Sequence, residues 1–114
     1  MQMKKTLQMT AGLELRELKS EITTFDCTNY QDLTFTTNRI NGHIRMIFET
    51  HPQNDTFLKN YIEAVVLKHI SIIESYIEHI EQDESRLPFV TKALRYHFNC
   101  IIDSFTYALL THQH

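Results

Sequence analysis

The segment Leu33-Thr-Phe-Thr-Thr-Asn-Arg-Ile40, followed by Asn41-Gly42 and then His43-Ile-Arg-Met-Ile-Phe-Glu-Thr50, admits two readings, and the choice between them sets the fold class. At 3.6 residues per turn, Tyr30, Leu33, Thr37, Ile40, Ile44, Ile47 and His51 fall on one stripe, the pattern of an amphipathic helix. At a period of two, Leu33, Phe35 and Thr37 share a face with Ile44, Met46 and Phe48 across an Asn-Gly turn, which is a β-hairpin over 33–50. The threonines favour the strand. The rest of the chain favours the helix, because a lone two-stranded hairpin is marginal and the flanking segments offer no sheet for it to join.

Those flanking segments carry helical periodicity. Residues 4–25 place Leu7, Ala11, Leu15, Leu18, Ile22 and Phe25 on one side and Arg16, Glu17, Lys19 and Glu21 on the other. Asp26-Cys27-Thr28-Asn29 supplies cap residues, and Thr28 with Gln31 has capping-box spacing. After Pro52, Asn54 or Asp55 caps a third helix that runs to about Asp83. Ser85 caps a fourth, with Pro88 in its donor-free first turn and the pattern continuing to Leu110. Short connections make neighbours antiparallel, so the sequence predicts an all-α, antiparallel up-down four-helix bundle with α+β around a 33–50 hairpin as the alternative.

At 114 residues this is a single helical domain over 1–114, and the scarcity of turn residues, two Gly and two Pro, agrees with long helices. A net charge of −3 provides no electrostatic footprint for nucleic acid or an anionic membrane, so neither is expected as a partner. Met1-Gln-Met-Lys-Lys resembles the start of a secretory leader, but the apolar stretch that follows is too short and too polar to complete one. With only Cys27 and Cys100 there is no disulfide framework, and a cytoplasmic location is expected.

The third and fourth helices each carry a histidine in their apolar pattern. Leu58, Ile62, Val65, Val66, Ile72, Ile73, Tyr76 and Ile80 form a broad arc with His69 near its centre, which predicts burial of His69. Val90, Leu94, Ile101, Phe105 and Ala108 form the stripe of the fourth helix, with His97 inside it. Folding one helix back on the other near residue 84 places His69 opposite position 99, so that His97 lies within about two residues, roughly 3 Å along the axis, and Cys100 lies one turn beyond His97 on the same side. Two imidazoles and a thiol are a candidate zinc-type ligand set, His69, His97 and Cys100. The preferred reading is structural, with no cofactor: the histidines bond a buried acceptor such as Thr37, Ser71, Ser104 or a tyrosine hydroxyl, and Cys100 acts as a small apolar residue.

Arg45-Met-Ile-Phe-Glu-Thr-His51 resembles, over seven residues, the Arg and His motif of helical HEPN-type ribonucleases, with Met46 where that family usually carries a polar residue. The resemblance implies RNA cleavage using Arg45 and His51. A histidine phosphotransfer domain has similar length, but none of the seven His has the Lys and Gly neighbours of its phosphorylated residue.

The fourth helix has more apolar surface than one bundle face requires. Phe89, Ala93, Tyr96, Cys100 and Tyr107 form a flank beside its core stripe, to be covered by the first helix or by a second subunit. Glu74, Glu78 and Glu81 form an acidic strip on the third helix, read as a solvated face, with Arg86, Lys92 and Arg95 as possible cross-subunit partners. No phosphate loop or geometrically ordered catalytic triad is present. The expectation is a small non-enzymatic regulatory or interaction protein, of the adaptor, inhibitor, immunity or antitoxin-like kind, that binds another protein and forms a homodimer.

Overall fold

The computed structural model describes residues 2–50 and 55–112, with side chains placed over 12–49 and 55–108. Helix α1 spans Gln2–Thr23, α2 Tyr30–Thr50, α3 Thr56–Gln82 and α4 Leu87–His112, with one 3-10 turn at Glu84–Arg86 before α4. No strand occurs among the described residues.

The 33–50 segment is helix throughout, and Asn41-Gly42 lies in its middle with no positive φ at the glycine. Burial explains the outcome. The 3.6-residue stripe Leu33, Thr37, Ile40, Ile44 and Ile47 is wholly buried, while Phe35 and Met46, which the hairpin would have turned inward, stand in water. Five positions on one face packed against neighbouring helices outweigh the strand preference of the threonines.

The caps differ from expectation by a residue or two. The amide of Asp32 donates to Asn29 Oδ1 at 2.8 Å and the amide of Thr28 donates to Asp32 Oδ2 at 3.2 Å, so Asn29 with Asp32, rather than Thr28 with Gln31, closes the start of α2. Glu84 Oε1 accepts from the Tyr30 amide at 2.6 Å, which satisfies another of the free donors there from a distant element. Asp55 caps α3, accepting from the amides of Phe57 and Leu58. Asp83, not Ser85, starts the last helical segment: its Oδ1 accepts from the amide and hydroxyl of Ser85 at 3.1 and 2.6 Å.

Helix α4 packs between α1 and α3, and α2 completes the bundle against both of them. Ring contacts Tyr61–Tyr107, His69–His97 and Tyr76–Phe89 run in opposite order along α3 and α4, which makes that pair antiparallel. Phe48 meets Phe105 edge-on across the interior. Phe25 meets Phe98, half-way along α4, so α1 is displaced along the bundle and leaves the first turns of α4 to the connection after it. Arg95 fastens that connection by donating from Nε to the Phe25 carbonyl at 2.6 Å. Thr37, Thr91 and Ser104 are the buried polar residues of this core. Ser104 donates to the Ile101 carbonyl, while the hydroxyls of Thr37 and Thr91 have no hydrogen-bond partner.

Candidate functional site

The seam between α3 and α4 carries most of the unusual chemistry. His69 Nδ1 lies 2.8 Å from His97 Nδ1, and the rings are tilted with centroids 5.1 Å apart. At that distance one Nδ1 donates and the other accepts. The expected levelling of the two histidines is therefore present, and each has the other as its partner. Thr37, Ser71, Ser104 and a tyrosine hydroxyl do not fill that role.

Full burial is not present. Both imidazoles are half-buried, because the apolar arcs of α3 and α4 are wider than the faces that meet the core. Leu58, Ile62, Ile73 and Ile80 define the interior side of α3, and Leu94, Phe98 and Ile101 that of α4. Phe98, absent from the stripe read in the sequence, takes the central place, and His97 sits at its edge toward α3. Burial first, then the charges of His97 and Lys68, hold His69 below the ordinary imidazole value of 6.5. Burial and then Lys68 do the same for His97. The rings of Tyr76 and Tyr96 lie near the His97 ring, with centroids 5.9 and 5.2 Å away.

The three-ligand metal set does not assemble. Among the described residues no three of His, Cys, Asp and Glu converge on a common point, so Cys100 does not join His69 and His97. The other thiol, Cys27, is buried, and burial followed by the Asp32 carboxylate pushes it up to about 11, which removes it as a nucleophile at neutral pH.

The flank of α4 lies open within the chain. Phe89, Tyr96 and Tyr107 are 63%, 65% and 53% exposed, and α1 packs against other parts of α4. Ala93 and Cys100 between them are half-buried. Tyr61 on α3, 42% exposed, extends this face by meeting Tyr107 at 5.8 Å, and Tyr76 extends it at the other end against Phe89. Sequence reading missed Tyr61, although its position eight residues before His69 placed it on the same side. A cleft of about 380 Å³ opens beside Phe89, lined by Ile72, Tyr76, His79, Arg86 and Val90 among others. Arg95, engaged with Phe25, is not available to the acidic strip; Glu74, Glu78 and Glu81 are exposed.

A second groove, about 490 Å³, runs between α2 and α3 over Ile44, Phe48, Val66 and Ile70, with Arg45, Glu63 and Glu74 among its lining residues. His51, the other half of the Arg and His motif, lies outside the described residues, so that pairing has no geometry here. No helix among the described residues is long and apolar enough to cross a membrane.

No protein-family model, curated protein or solved structure matches this chain.

Proposed function

We propose that the chain is a small, non-enzymatic, cytoplasmic interaction protein, of the adaptor, inhibitor, immunity or antitoxin-like kind, that works as a homodimer joined through the α3/α4 face. The observation that carries this reading is the aromatic face itself: Phe89, Tyr96, Tyr107 and Tyr61 are all more than two-fifths exposed along one side of a bundle whose core is already filled. Burying a large side chain of this kind contributes about 1.5–3 kcal/mol, so leaving several in water on one strip is costly.

A second copy fits this face better than an arbitrary surface would. His97 lies about 12 Å along α4 from Phe89 and about 15 Å from Tyr107. A two-fold axis at the level of His97 would therefore lay the Tyr61–Tyr107 ring pair of one copy against the cleft beside Phe89 in the other. Arg86 lines that cleft, and the exposed Asp103 lies one turn before Tyr107, so the same axis brings opposite charges together. Between Phe89 and Tyr107 the face is about 27 Å long and roughly 20 Å wide, on the order of 540 Å² per copy, at the low end of specific protein interfaces.

Tyr96→Glu would place two carboxylates near the axis. Light scattering at about 0.1 mM should give a dimer for the wild type and a monomer for the variant with unchanged helicity by circular dichroism. A monomeric wild type at that concentration refutes the assembly.

A further inference from the structure

We propose that His69 and His97 form a two-histidine site for a divalent transition ion of the nickel or copper class, bound through both Nδ1 atoms at the α3/α4 seam. Metal–imidazole bonds run about 2.0–2.1 Å, so two nitrogens 2.8 Å apart subtend roughly 85–90° at an ion bound to both. That is the cis angle of octahedral and tetragonal ions. Two ligands of tetrahedral zinc stand about 3.3–3.4 Å apart, so zinc would require the two rings to separate further than nickel or copper would.

The remaining features suit coordination. The pair comes from two packed helices rather than from loops, which fixes the separation of the two backbones. The rings of Tyr76 and Tyr96 both lie against His97, with centroids 5.9 and 5.2 Å away. Both imidazoles are half-buried, so the other coordination positions open to water in a monomer and toward the two-fold axis in a dimer. The site lies within one chain and does not depend on self-association. On binding, the ion takes the place of the shared Nδ1 proton, which moves to Nε2 of the same ring, and no net proton is released from the neutral pair.

The test uses the full chain without an affinity tag, in a His112→Gln, His114→Gln background that removes the terminal His-Gln-His from competition. Ni²⁺ is the probe because it does not oxidise the two thiols as Cu²⁺ does. Titration calorimetry should show Ni²⁺ binding that is weakened by at least about tenfold in His69→Gln and in His97→Gln, with zinc weaker than nickel in the parent. In nuclear magnetic resonance spectra of the unsubstituted chain at low Ni²⁺ occupancy, paramagnetic broadening should centre on residues near 69 and 97, a readout that needs no folded variant. Broadening centred near His43 or His79 with none at the seam, binding unchanged in both variants, or zinc held more tightly than nickel would overturn the proposal.

Discussion

His69 Nδ1 and His97 Nδ1 share one proton across 2.8 Å, twenty-eight residues apart in sequence and joined by the reversal between α3 and α4. Each imidazole has the other as its hydrogen-bond partner, and both are half-buried, within reach of water. The energetic consequence is coupling rather than large individual worth. His69→Leu or His97→Leu should each cost about 0.5–1.5 kcal/mol, less than for a fully buried pair because water can satisfy the survivor. The double variant should cost less than the two singles added, as read from urea denaturation in a double-mutant cycle. Strict additivity would show that the hydrogen bond contributes nothing.

Acid should weaken the fold through the same pair. Burial, His97 and Lys68 hold His69 below 6.5, and burial and Lys68 hold His97 below it, so the unfolded chain takes up protons before the folded one does. Their contribution is then complete above about pH 7, falls as pH drops below 6.5, and levels off once the folded state is also protonated. Lys68 is the charged group that acts on both histidines, and the rings of Tyr76 and Tyr96 lie against His97. In a metal chelator, the Tm of the wild type should fall between about pH 7.5 and 5.5, and the fall should be smaller in His69→Gln, His97→Gln. An equal fall in both proteins assigns the effect to other residues.

Gly42 is an exposed residue in the middle of α2 with no positive φ, and an added Cβ meets nothing within 4 Å. Gly42→Ala should therefore stabilise by about 0.5–1 kcal/mol by reducing the freedom of the unfolded chain. The midpoint of urea unfolding should rise with unchanged slope. A loss of stability would mean that the residue turns a hairpin after all.

Thr37 is 1% exposed and its hydroxyl has no hydrogen-bond partner. Valine has nearly the same shape and helix propensity and no polar atom to strand. Thr37→Val should raise stability by about 1 kcal/mol, measured in the same denaturation. A destabilised variant would reveal a partner for the hydroxyl, such as an internal water.

Helix content and the core faces were legible in the sequence, because they follow from periodicity that each segment carries alone. Leu33, Ile40, Ile44 and Ile47 on α2, and Val90, Leu94, Ile101 and Phe105 on α4, are buried as their spacing requires. The level at which His69 meets His97 was also legible, since a short reversal and a fixed rise per residue leave little freedom in register. Cap positions were less so: Asn29, Asp32, Asp83 and Glu84 form a set of neighbouring acceptors, and which one takes which amide depends on backbone direction at the turn. Tertiary packing alone decided the depth of the histidines, because an apolar arc wider than the core can turn either part of itself inward, and Phe98 took the centre. It also decided that the aromatic flank of α4 stays open, since α1 could pack on more than one side of that helix and its contact with Phe98 through Phe25 fixed the side and the offset together.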